Sequence, residues 1–347
     1  MLEMRARFVL TFFHPIRDNN QKEIAMFSKK MLMSAISVLG VVFALSLCIG
    51  FSGSIAMAAC PDDALFTTDF RLEDCKFKDK GENPYFILKP GYQVVLESVD
   101  DDDLVEERSV ETVLRDKKTI YLDDDGSKGK GRKIKTRVVE ERAWERNEDG
   151  ELVLVEISRN WFAICKKTNA VYYFGELSKD CTLGDDEAIF PIESTGGFDP
   201  NDETRCADGS LPNTEGSWEA GQPPMDNEDG EIAKPGLIMP GTALLNAKYF
   251  QEIAPPNAVD RGEIVAMGLD WPEELDEGEE PEFTGCIKTL DTNPAKEECG
   301  DDDVKIYCPG VGLVQDQDLE LVSYGYGDDD DDDDDDDNDR RWRWGKR

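Results

Sequence analysis

Between Tyr85 and Tyr326 short runs rich in valine, isoleucine and aromatic residues alternate with clusters of Gly, Pro, Asn and Asp. That is the pattern of antiparallel strands separated by turns. The clearest hairpin joins Ile134–Val139 to Leu152–Ile157 through Asn147-Glu148-Asp149-Gly150, where Asp-Gly supplies the positive φ of a tight turn. Further strands are predicted over Tyr92–Val99, Leu104–Leu114, Asn160–Cys165, Ala170–Phe174, Lys248–Ile253, Gly262–Met267, Phe283–Leu290, Val304–Tyr307 and Leu319–Tyr324. Long helical periodicity is absent, and only Thr242–Phe250 reads as a short helix. The fold class that follows is mainly β: a single curved antiparallel meander, a sandwich or a partly open barrel, with few short helices.

One apolar stretch does not fit this scheme. Lys29 and Lys30 precede an apolar run from Met31 to Phe51, and Ala56-Met57-Ala58 places small residues where a signal peptidase reads them. Residues 26–58 therefore read as a signal peptide cleaved after Ala58, with residues 1–25 an over-long start ahead of Met26. Two rival readings keep the protein at the membrane: the run stays uncleaved as an anchor of roughly 20 apolar residues, or Cys60 is acylated. Cleavage removes His14, the lone histidine, and Cys48, leaving eight cysteines. Nucleophilic catalysis through imidazole and histidine zinc sites are then excluded.

Charge narrows the partners. Six of the 39 basic and three of the 76 acidic residues precede Ala59, which leaves 33 against 73 and a net charge of −40. Such a field repels nucleic acid and attracts cations and basic proteins.

The eight remaining cysteines, Cys60, Cys75, Cys165, Cys181, Cys206, Cys286, Cys299 and Cys308, lack paired Cys-x-x-Cys spacing and read as a disulfide framework with 105 possible connectivities. Proximity pairs Cys60 with Cys75, Cys181 with Cys206 and Cys299 with Cys308, leaving Cys165 for Cys286. Domain organisation follows as one β-rich domain over 60–326, a surface excursion over 184–229 and a tail over 327–347. The Gly- and Lys-bearing segment Asp123–Lys133 reads as a solvated loop, since its spacing matches no phosphate-binding pattern.

No catalytic residue stands out. Tyr172, Tyr173, Phe174, Trp161 and Trp218 can line a sugar-binding or apolar pocket but read first as core. Glu219, Glu252, Asp260 and Glu263 supply pairs for the acid and base of a glycosidase, while composition favours a solvated acidic face. The tail carries ten consecutive aspartates, Asp328–Asp337, followed by Arg340-Arg341-Trp342-Arg343-Trp344. Charges this close repel, so the tail is expected to be disordered. Asp328, Asp330, Asp332, Asp334 and Asp336 are expected to hold calcium diffusely and weakly, having no fixed cage. The Arg- and Trp-bearing end suits contact with the envelope surface.

Asn160-Trp161-Phe162-Ala163-Ile164-Cys165, Val171-Tyr172-Tyr173-Phe174-Gly175-Glu176, Gly216-Ser217-Trp218-Glu219-Ala220-Gly221, Ala233–Gly241, Tyr249-Phe250-Gln251-Glu252, Asp260-Arg261-Gly262-Glu263 and Tyr307–Val314 together give a pattern that resembles a family of bacterial secreted or envelope proteins of unknown function. These segments cover most of residues 75–326. The resemblance implies a site of action outside the cytoplasm and brings no catalytic residues. The chain departs from the pattern in the insertion around Cys181–Cys206, in Cys308 where alanine is more usual, and in the tail. Together these readings lead to a secreted or periplasmic binding or structural protein, with a two-carboxylate carbohydrate-active enzyme and a carrier of lipid-like ligands as alternatives.

Overall fold

The computed structural model describes residues 63–100, 104–122, 131–147, 149–183, 186–187, 206, 212–214, 216–223, 231–256, 258–272, 280–295, 303–326 and 343–344. The chain divides into compact units at Ile55 and Ala56, and the first unit, with the expected signal segment, lies outside the described residues. So do Cys60, Cys299 and the aspartate run Asp328–Asp337.

Two 3-10 turns, Asp63–Leu65 and Leu72–Asp74, open the described chain. Short strands β1 (Phe77–Lys78), β2 (Gly81–Asn83) and β3 (Phe86–Leu88) lead into β4 (Tyr92–Val99) and the long β5 (Val105–Leu122), β6 (Arg132–Arg146), β7 (Leu152–Cys165) and β8 (Val171–Asp180). After β9 (Thr182–Leu183) and β10 (Asp186–Glu187) come β11 (Trp218–Glu219), β12 (Gly236–Met239) and β13 (Lys248–Phe250). The second half holds β14 (Arg261–Trp271), β15 (Phe283–Thr292), β16 (Val304–Cys308), β17 (Gly312–Asp316), β18 (Leu319–Tyr326) and β19 (Arg343–Trp344).

One antiparallel sheet unites most of them, in the order β11-β8-β7-β6-β5-β4-β18-β17-β16-β15-β14-β13, and it does not close into a barrel. Laid flat, the eight steps from β8 to β15 would span roughly 38 Å at about 4.8 Å per strand. Glu176 on β8 and Asp291 on β15 nevertheless line one cavity, so the sheet curls around it.

The expected hairpin forms: β6 and β7 pair from Arg146↔Leu152 to Arg137↔Phe162, with Gly150 at φ 83° in the turn. Trp161, Tyr172, Tyr173, Phe174 and Trp218 are all buried in the main core, as strand aromatics predict. Gly175 lets β11 approach, because a Cβ there would lie 2.3 Å from the Trp218 carbonyl oxygen. A bulge interrupts β5 between Val113 and Lys117. The Arg137 side chain, 3% exposed, fills it by donating to the carbonyls of Arg115 (2.6 Å) and Asp79 (2.9 Å) and by pairing with the Asp79 carboxylate at 3.2 Å.

Three expectations are corrected. Thr242–Phe250 is not helical: it forms turns and then β13, with Asn246 at φ 63°, because Ala247 and Asn246 exchange backbone hydrogen bonds with Ile264 on β14. The excursion over 184–229 is not wholly peripheral, since β11 inside it pairs with β8 and buries Trp218 completely. Cysteine pairing follows the sheet rather than sequence proximity. Cys181–Cys206 forms as expected, but Cys75 bonds Cys165 and Cys286 bonds Cys308, so the expected pairs Cys60–Cys75, Cys165–Cys286 and Cys299–Cys308 do not form. Phe77 faces Cys165 across β1 and β7, which carries Cys75 to the same edge. β15 and β16 pair at Ile287↔Tyr307, and one more step along that register sets Cys286 opposite Cys308.

Three intramolecular disulfides fit an oxidising extracellular or periplasmic compartment. Among the described residues no helix is long and apolar enough to cross a membrane.

Candidate functional site

The inner face of the curled sheet is open. A chamber of about 580 Å3 lies between β4–β8 on one side and β15–β17 on the other, within the size range of small-molecule sites. Its walls follow from the two-residue periodicity of strands, which sets residues i and i+2 on one face. Pairing across β4 to β8 aligns Val94, Glu111, Glu141, Ser158 and Ser178 in one row, and Val113, Val139, Asn160 and Glu176 in the next. Tyr85, Phe86, Tyr92, Phe162, Tyr173 and Tyr307 give the chamber aromatic walls.

Its chemistry is dominated by acid. Among the described residues eight carboxylates line the chamber: Glu111, Glu141, Glu156, Glu176, Glu252, Asp260, Asp291 and Asp303. Lys305 is the one lysine or arginine among the lining residues. Glu111 and Glu141 sit directly opposite each other on β5 and β6, an arrangement that is unfavourable when both are ionised. Burial pushes Glu111 up to about 8, with Glu141 adding to the rise, and raises Glu141 too. The pair therefore keeps a proton at neutral pH. Ser109 donates to Glu141 at 2.9 Å.

A second acidic group lies toward β8. Burial pushes Glu176 up to about 8 against the pull of its hydrogen bond from Tyr173, and Asp260, Glu156 and Glu141 reinforce the rise. The Tyr173 hydroxyl rests against Glu176 Oε2 at 2.7 Å and against Asn160 Oδ1. Ser178 donates to Glu156 at 2.9 Å, and the Trp218 indole donates to Glu252 at 3.2 Å.

The third group surrounds Lys305. Burial pulls its ammonium down, and Asp316, Asp291, Tyr307 and Asp303 more than reverse that, so it stays charged. Lys305 donates to Asp316 at 3.0 Å. Asp291 is 8% exposed, and burial pushes it up to about 7 although Lys305 and a hydrogen bond from Gln251 oppose the rise. Its Oδ1 has no hydrogen-bond partner, a costly condition for a buried acceptor.

Of the acids singled out from sequence, Glu252 and Asp260 reach the chamber. Glu219 instead pairs with Lys118 at 2.9 Å, and Glu263 pairs with Lys248 at 2.5 Å. Trp161 is buried beneath the Lys118 ammonium, 4.3 Å from its ring, so neither it nor Trp218 is an exposed platform. Sequence reasoning missed Glu111, Glu141, Glu176 and Asp291. The available signal was strand phase: Glu111 and Glu141 lie two residues from Val113 and Val139, both core positions. Among the described residues no three of these acids converge as ligands of one metal ion. The calcium expectation concerns Asp328–Asp336 and lies outside the described residues. No protein-family model, curated protein or solved structure matches the chain.

Proposed function

We propose that this is a non-enzymatic binding protein, secreted or periplasmic, whose curled sheet holds a small polar ligand in the acidic chamber. The observation that carries the reading is the chamber itself: the inner face is hollow and lined with carboxylates rather than filled with apolar side chains. A carrier of lipid-like ligands calls for apolar walls instead, and a carbohydrate-active enzyme calls for exposed aromatic platforms beside two free carboxylates.

A thermal-shift panel of amino acids, amines, monosaccharides and fatty acids, run on the wild type and on Ser158→Phe, tests this. Ser158 lines the chamber and is 4% exposed, so phenylalanine there fills it. One polar class should raise the wild-type midpoint and leave the variant unmoved. Stabilisation by fatty acid alone, or glycoside turnover abolished in Glu111→Gln, overturns the reading.

The same proposal places residues 26–58 as a cleaved signal, with the exported chain beginning at Ala59; intact mass decides between this, a lipid on Cys60 and a retained anchor. The aspartate tail supplies weak, multivalent calcium association, at roughly 10⁻⁴ to 10⁻³ M, and draws cations or basic partners rather than nucleic acid. Calorimetry with and without residues 328–347 should show most calcium uptake lost on truncation, and equal uptake removes the tail from this role.

A further inference from the structure

The chamber's carboxylates outnumber its cations and are spread along its length. Lys305 serves one end, where Glu111, Glu141, Asp291 and Asp316 all feel its charge. Even there Asp291 Oδ1 is buried without a hydrogen-bond partner. From Asp291 the acidic wall continues to Asp260, which receives a hydrogen bond from Asn293, two residues along from Asp291. Asp260 in turn bears on Glu176, as do Glu156 and Glu141. Aromatic rings of Phe162 and Tyr173, stacked with centroids 4.7 Å apart, flank this track and offer apolar and cation–π surface.

Resting on the reading of the chamber as a small-ligand site, we propose that its ligand is a linear aliphatic amine bearing two or more ammonium groups, one paired with the Asp291 carboxylate and another with Glu176, both of which line the cavity, with the methylenes against the aromatic wall. A point ion suits the site less well, because among the described residues no three of the acids converge on one position. A sugar lacks the charge to meet them. The resident ammonium of Lys305 illustrates the environment, being held charged inside the fold by Asp316, Asp291 and Asp303.

Uptake is an exchange of cation for protons. Asp291 faces Lys305, Asp303, Asp316, Gln251, Tyr249 and Tyr307; Glu176 faces Tyr173, Asp260, Glu156 and Glu141. An ammonium placed beside either favours the carboxylate and expels the proton that burial holds there. Affinity should therefore fall as pH drops from 8 toward 5.

Calorimetric titration of the full disulfide-bonded protein at pH 7 with spermidine, propylamine and glucose, in phosphate and in Tris, tests the proposal. A saturable one-to-one component for spermidine is expected, at least tenfold tighter than for propylamine, with a buffer-dependent heat that reports proton release. Asp291→Asn and Glu176→Gln should each weaken it about tenfold or more, while any diffuse uptake by the aspartate tail is common to all three proteins. Equal spermidine affinity in the wild type and both variants overturns the proposal. Glucose binding that Ser158→Phe abolishes, without spermidine binding, overturns the amine assignment and leaves the small-ligand reading standing.

Discussion

Replacing Asp291 by asparagine should stabilise the protein at pH 8 and leave it unchanged at pH 4. The aspartate ordinarily ionises near 3.8 and is pushed up to about 7 in the fold. Between those values the unfolded chain has released its proton while the native protein still holds it, so native stability falls as pH rises and the loss is complete above about pH 7. Each pH unit between the two values is worth about 1.4 kcal/mol, which sets a ceiling of about 4 kcal/mol. Asparagine keeps the shape and the hydrogen-bonding oxygen without the charge. Urea unfolding of both proteins with disulfides intact, at pH 4, 6 and 8, should give a difference near zero at the first and about 2 to 4 kcal/mol in favour of the variant at the last. In a domain of this size that is roughly 4 to 8 °C in Tm. A difference that does not vary with pH, or a variant less stable than the wild type at pH 8, refutes the reasoning.

Arg137→Met leaves the carbonyls of Arg115 and Asp79 without their donor and should cost about 3 to 5 kcal/mol. Arg137→Lys should recover little, since one ammonium cannot span the bulge, and thermal unfolding of the two variants checks both statements. Removing Cys75–Cys165, which closes 90 residues, should cost about 4 to 5 kcal/mol on the chain-entropy account. Removing Cys286–Cys308, which closes 22, should cost about 1 kcal/mol less, and denaturation of the paired alanine variants gives the order. Deleting residues 328–347 removes the two-residue pairing of Arg343–Trp344 with Ser323–Tyr324 and should move Tm by no more than about 2 °C at moderate salt; a larger drop means that the basic end docks on the acidic domain.

The strands were legible where β-branched and aromatic residues were bounded by turn residues, as in Tyr92–Val99, which matches β4 at both ends. They were underestimated where the exposed positions were charged. β5 runs on to Leu122 through Arg115, Lys117 and Lys118, side chains that resemble a loop in sequence but continue a ladder with β6 from Lys117↔Arg137 to Leu122↔Arg132. Ala243-Leu244-Leu245 and Ala247-Lys248 are good helix formers, yet pairing with β14 overrides that preference. Disulfide partners were illegible for the same reason as strand order. Cys75 and Cys165 are neighbours only once β1 pairs with β7, a contact between residues 90 apart.

The acidic chamber was hidden by composition: among 76 acidic residues, none is conspicuous until pairing reveals which face it occupies. Apolar residues packed in the positions of Glu111, Glu141, Glu176 and Asp291 would avoid burying carboxyl groups and would stabilise the sheet, as Val113 and Val139 do on the same strands. Instead the fold retains protons on the Glu111–Glu141 pair and on Glu176, and leaves Asp291 Oδ1 without a partner. Strain of this kind collects where a protein meets its ligand. A cation entering the chamber, as proposed, would relieve it three times over, by screening like charges, by pairing with a buried carboxylate and by displacing protons into water. Ligand-induced stabilisation should consequently be largest near pH 7 to 8, where the empty chamber is least stable.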